Sequence, residues 1–95
     1  MVNSDVNTIK AVVKVIPNPY MDQVNINFNS AENGKAEVRL TNLSGNLVKK
    51  IESPVSIGNN NIQLQNLSSQ SAGIYMVSMV VNGKVISSQK IIKAL

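Results

Sequence analysis

The sequence predicts an all-β fold, an antiparallel sandwich of about seven strands, and three observations carry that prediction. Apolar residues recur at alternate positions, most strictly in Gln23–Asn29 (QVNINFN), where Val24, Ile26 and Phe28 point one way and the amides point the other. Turn-forming residues punctuate the chain about every eight to twelve residues. No stretch carries a convincing helical period.

Taken in order, Met1–Lys10 is polar and unpatterned, a linker or disordered lead-in to a domain spanning 11–95. Ala11–Ile16 (AVVKVI) is a short strand. Pro17 and Pro19 stop it, because they remove two backbone donors and fix φ on both sides of Asn18. Gln23–Asn29 follows as a half-buried strand with a wet outer face. Asn33-Gly34 turns the chain into Lys35–Thr41, with Ala36, Val38 and Leu40 inward and Lys35, Glu37 and Arg39 outward. Asn42-Leu43-Ser44-Gly45 closes that strand, with Gly45 at the sharp turn. Asn46–Glu52 is a weaker strand near an edge, where Lys49 and Lys50 discourage pairing with other chains. Ser53–Asn61, with Pro54 and Gly58, reads as a loop. Asn61–Gln65 alternates again, Ile62 and Leu64 inward, and Asn66–Ala72 is a polar loop anchored by Leu67.

The strongest local signal comes last. In Gly73–Lys93, two runs rich in Val, Ile, Met and Tyr flank Asn82-Gly83, a pair that suits a two-residue type I′ turn because both positions need positive φ. That loop sets the register: Val81 opposite Lys84, Val80 opposite Val85, Met79 opposite Ile86. Tyr75, Val77 and Met79 form one apolar face; Ile74, Met76 and Val80 form another. If the first faces inward, an unbroken register also buries Ser88 and Lys90; the opposite choice buries Ser78 and Ser87. A bulge in the last strand would remove the conflict, and the sequence leaves the choice open. Together these elements make an Ig-like antiparallel β-sandwich.

Composition narrows the function classes. Ninety-five residues suit one domain, and three aromatics leave a mainly aliphatic core. There are fourteen asparagines, many of them at turns or on polar strand faces. The net charge of +4 is scattered, with only Lys49 and Lys50 adjacent, so there is no basic stripe for nucleic acid. Without histidine or cysteine there is no Ser-His or Cys-His pair and no thiolate metal site. The carboxylates Asp5, Asp22, Glu32, Glu37 and Glu52 do not cluster, and Asp22 lacks the spacing of a calcium loop. Ser87–Lys90 matches the S-x-x-K pattern of penicillin-binding enzymes, but on a strand positions three apart face opposite ways. The two Asn-Leu-Ser triplets are too short to count as glycosylation acceptors. The expectation is a chain that is not an enzyme and carries no cofactor and no metal.

Val15–Asn27 (VIPNPYMDQVNIN) resembles the opening of the type A C-terminal sorting domain of the type IX (Por) secretion system: a short strand, Pro17-Asn18-Pro19, the aromatic Tyr20, Asp22, then alternating Val24 and Ile26. Leu40–Ile51, with Gly45 in its turn, is similar to the family's middle. Leu67, Gly73-Ile74-Tyr75, Asn82-Gly83 and the basic-aliphatic finish Lys90-Ile91-Ile92-Lys93 are similar to its end. One departure is the loop between Leu67 and Gly73, longer here than is usual for the family.

The resemblance implies the C-terminal address of a larger cargo exported by a Bacteroidota-type Gram-negative bacterium. The cargo would cross the periplasm and pass the outer membrane through the type IX translocon, to the cell surface or the medium. Translocon, shuttle and sortase-like components would be its partners, and a surface sortase-like peptidase would cut within or upstream of Met1–Lys10. The candidate recognition residues are Pro17, Asn18, Pro19, Asp22, Gly45, Gly73, Tyr75, Asn82, Gly83, Lys90, Ile91, Ile92 and Lys93, with Lys90 and Lys93 as a charged margin to the hairpin. The apolar hairpin also leaves room for weak self-association. The alternative is an Ig-like or fibronectin-like binding or spacer module of a secreted protein.

Overall fold

The computed structural model describes residues 13–95; the lead-in Met1–Lys10, and Ala11 and Val12 of the first predicted strand, lie outside the described residues. Seven strands follow: β1 (Val13–Ile16), β2 (Val24–Ser30), β3 (Gly34–Asn42), β4 (Leu47–Val55), β5 (Gly58–Leu64), β6 (Gly73–Val81) and β7 (Lys84–Lys93). They form two antiparallel sheets, β1-β2-β5 and β4-β3-β6-β7, an all-β sandwich of the Ig-like kind.

Alternation decides which side chains meet between the sheets. From the three-stranded sheet come Val15, Val24, Ile26, Phe28, Ile62 and Leu64; from the four-stranded sheet come Ala36, Val38, Leu40, Tyr75, Val77, Met79, Val81 and Ile91. Each such large aliphatic or aromatic side chain, once withdrawn from water, contributes about 1.5–3 kcal/mol. Tyr20 and Leu67, both from loops, close the core at one end and are fully buried.

Two expectations are corrected. The predicted loop Ser53–Asn61 is mostly strand: β4 continues to Val55 and β5 begins at Gly58. Pro54 is tolerated because β4 lies at a sheet edge, where one side of the strand has no ladder to complete. The asparagines build the short turn instead of merely marking it. Asn60 accepts from the Ser56 N–H (3.1 Å) and donates to the Ser56 and Gly58 carbonyls (both 2.9 Å), while Asn33 accepts from the Ile57 N–H (3.0 Å).

The second correction concerns the hairpin register. Asn82 and Gly83 have φ of 50° and 85°, and Val81 pairs with Lys84 and Val80 with Val85 as expected. Met79 then pairs with Ser87 and not with Ile86, because β7 carries a bulge. From there on the pairing reads Val77 with Gln89, Tyr75 with Ile91 and Ile74 with Ile92. One extra residue exchanges the two faces of the rest of the strand, so Ile91 enters the core while Ser88 and Lys90 face out. The conflict between faces disappears.

Candidate functional site

Two motifs far apart in sequence meet at one end of the sandwich. The segment Pro17–Tyr20 leaves β1 and lies along the outer edge of β7. There Asn18 Oδ1 accepts from the Ile92 N–H (2.9 Å), the Tyr20 N–H donates to the Ile92 carbonyl (2.8 Å), and the Ala94 N–H donates to the Tyr20 carbonyl (2.7 Å). Asn18 has one proline on each side, which restricts the backbone that presents its amide. The Tyr20 ring fills the core below and meets Tyr75 edge-on, centroids 6.3 Å apart. Burial, and secondarily the neighbouring Tyr75, push the Tyr20 phenol up to about 12.

The same end gathers the loop between Leu67 and Gly73. The Leu67 N–H donates to the Asp22 carbonyl (2.8 Å), the Tyr20 hydroxyl reaches Gln70 Oε1 (3.3 Å), and the Tyr75 hydroxyl donates to the Ser71 carbonyl (2.7 Å). This loop is therefore tied down by both tyrosines. Gly73 opens β6 opposite Lys93. Gly45 lies in the turn between β3 and β4, its N–H on the Asn42 carbonyl (2.9 Å).

Asn82 and Gly83 sit at the far end of the hairpin, roughly 27 Å along the strand from Gly73. Asn82 Oδ1 accepts from the Lys35 N–H (3.1 Å), and Asn82 Nδ2 donates to Glu32 Oε1 (2.6 Å) and the Asn33 carbonyl (3.2 Å). A Cβ on Gly34 would lie 1.9 Å from that Oδ1, so this close approach requires glycine. The Asn33-Gly34 and Asn82-Gly83 turns are one interlocked unit. Its chemistry is that of a staple.

Between these ends the outer face of β6 and β7 is open. Ile74 and Ile92 form a cross-strand pair, 43% and 48% exposed, and Val85 beside Val80 is 70% exposed. Met76 and Val80 are half-buried on the same face, separated by the Ser78–Ser88 pair. Lys90 stands opposite Met76, and Arg39 and Lys50 lie in the next row across β3 and β4. Arg39 bonds Glu37 and holds its carboxyl below the usual carboxylate range. Lys35 pairs with Glu52 at 3.3 Å. Lys93 does not join the charged margin: its side chain is buried and its ammonium donates to the Ala94 carbonyl (2.7 Å). Ile91 likewise belongs to the core, leaving Lys90 and Ile92 as the outward pair of the terminal motif.

Tyr20 anchors this end, and no local periodicity marks it. The signal was present, as one of only three aromatics in the chain, directly after the two prolines. Among the described residues no three Asp or Glu side chains gather to hold a metal ion.

A family model described as a secretion system C-terminal sorting domain matches residues 14–94. No curated protein matches the chain closely enough to count as a relative.

Proposed function

The chain belongs to the secretion system C-terminal sorting domain family, and on that premise we propose that the outward face of its terminal hairpin is the surface the export machinery reads. Membership makes the chain a type IX sorting signal, placed behind a cargo protein that is destined for the cell surface or the extracellular space. The family is not an enzyme family.

One observation supports this reading above the others. Ile74 and Ile92 stand side by side in water on a sheet whose other face already completes the core. Folding does not need them exposed, and covering them against a partner would return about 25 cal/mol for each Å² withdrawn from water. The loop Pro17–Tyr20 fixes the end of β7, so that Lys90 and Ile92 are presented in one geometry. Asn82, Gly83, Gly45 and Gly73 shape the scaffold that holds this face.

In the same reading the domain covers 11–95 and crosses the periplasm folded. It is then cut off by a surface sortase-like peptidase within or upstream of Met1–Lys10. The domain is substrate and address, with no catalytic role of its own. The test is a transplant, in which the 95 residues are fused behind a reporter carrying its own export signal, in a host with a working type IX system and in a translocon-deficient strain. Reporter at the surface or in the medium of the first host alone is the expected result. A folded fusion retained in the periplasm of both hosts would overturn the reading in favour of a binding or spacer module.

A further inference from the structure

The edge of β7 is half covered and half open, and the covered half shows how the open half can be used. Ile92 turns its N–H and carbonyl away from β6, where Asn18 and Tyr20 take them in a short parallel pairing. Ser88 and Lys90 follow the same alternation with no register shift between them and Ile92, so their N–H and carbonyl groups leave the sheet on the same side. Among the described residues no other strand pairs with β7 on that side. The Ser78–Ser88 hydroxyl contact of 3.2 Å fits this geometry, because side chains of a non-hydrogen-bonded pair stand closest.

The opposite edge of the same sheet is protected by comparison. β4 carries Pro54, the adjacent Lys49 and Lys50, and a register shift against Leu40 and Thr41, each of which discourages strand addition. β7 has no proline, its open stretch carries a single lysine, Lys90, instead of an adjacent pair, and its bulge lies before that stretch.

We propose that the edge of β7 over Ser88–Lys90 accepts an extended segment of a partner protein as an added strand, with a carboxylate of that segment beside Lys90. The inference rests on the sorting reading above and specifies how the hairpin is engaged. Asn18 and Tyr20 stop the added strand at Ile92 and the bulge stops it at Ile86, so about three to five residues pair. Lys90 is exposed and forms no salt bridge among the described residues, which leaves its charge for the incoming segment.

The test uses Ser88→Pro. The N–H it removes faces solvent in the free domain, and edge positions of this kind accept proline. Ser88→Ala controls for the lost hydroxyl contact. Each variant is fused to the exported reporter in the type IX-competent host, and folding of the purified chain is checked by protease resistance. Wild type and Ser88→Ala are expected to export normally, and folded Ser88→Pro to fall at least about tenfold, a loss on the scale of one or two backbone bonds at the interface. Normal export of folded Ser88→Pro overturns the added strand and leaves the sorting reading intact. Failure of the wild-type chain to export overturns the sorting reading itself. If Ser88→Pro loses protease resistance, Lys90→Glu replaces it: a fall of about tenfold supports the proposal, and normal export overturns it.

Discussion

The two outer faces of the sandwich obey the same alternation and end differently. On the three-stranded sheet, Asn25, Asn27 and Asn29 of β2 stand opposite Gln63, Asn61 and Asn59 of β5, and side-chain hydrogen bonds join Asn27 to Asn61 and Asn29 to Asn59. That face is largely polar: Ile16 of β1, opposite Asn25, is its one exposed large apolar residue among those described, and Asn25 Oδ1 is buried without a hydrogen-bond partner. On the four-stranded sheet, Ile74, Met76, Val80 and Ile92 occupy the equivalent outward positions. A sandwich needs polar or neutral residues on its outside, and the amide face shows that this chain can supply them. The apolar residues on the other face are a departure that folding does not explain, and in the reading proposed above they are the surface offered to a partner.

That contrast can be broken at a single pair of adjacent residues. Ile91 is buried and Ile92 is half exposed, one step apart on β7. Ile91→Ala should cost about 2–5 kcal/mol, through lost burial and the cavity left behind. Ile92→Ala should stay within about 0.5 kcal/mol. Denaturant unfolding of the two variants checks this, and equal losses would mean that the bulge does not set the faces as described.

The clamp beneath the open face gives a pH signature. The Tyr20 phenol is raised from 10.0 to about 12 by burial, so the folded state holds its proton more tightly than the unfolded state does. Stability is insensitive to this group below pH 10 and falls as pH rises from there through about 12. Tyr20→Phe should remove most of that alkaline loss, as followed by thermal unfolding across the same pH window.

The smallest effect belongs to the far staple. Gly34→Ala should drive the Asn82 amide from its partners and cost about 1–2 kcal/mol. In an Asn82→Ala background the same substitution should cost clearly less, because the clash and the bonds are one interaction. Additive losses in the double variant would show that the two turns are independent.

The existence of seven strands and the inward faces of β2, β3 and β5 were legible in the sequence because alternation and turn chemistry are local; the strand ends inside Ser53–Asn61 and the inward face of the hairpin were not. Val24, Ile26 and Phe28, or Asn82-Gly83, declare themselves within a few residues. The bulge at Ile86 did not, because nothing in KVISSQ separates a bulged strand from a regular one. Only the demand that Ile91 and not Lys90 enter the core decides it, and that demand comes from β6. Tyr20 against Ile92, and Asn82 against Gly34, are contacts across 72 and 48 positions that no local pattern encodes. Lys93 reads as a surface lysine because its residue type is ordinarily exposed, and it lies inward because the bulge puts it on the same face as Ile91.

The most direct measurement compares the two faces in the export assay. Ile74→Asp combined with Ile92→Asp alters only outward positions, as does Asn27→Ala combined with Asn61→Ala. Both double variants should keep protease resistance. The first should then lose surface display of the reporter by at least about tenfold, while the second exports like wild type. If the aspartate variant is folded and exported normally, or if the amide variant is the one that fails, the face formed by the terminal hairpin is not the surface that the secretion machinery reads.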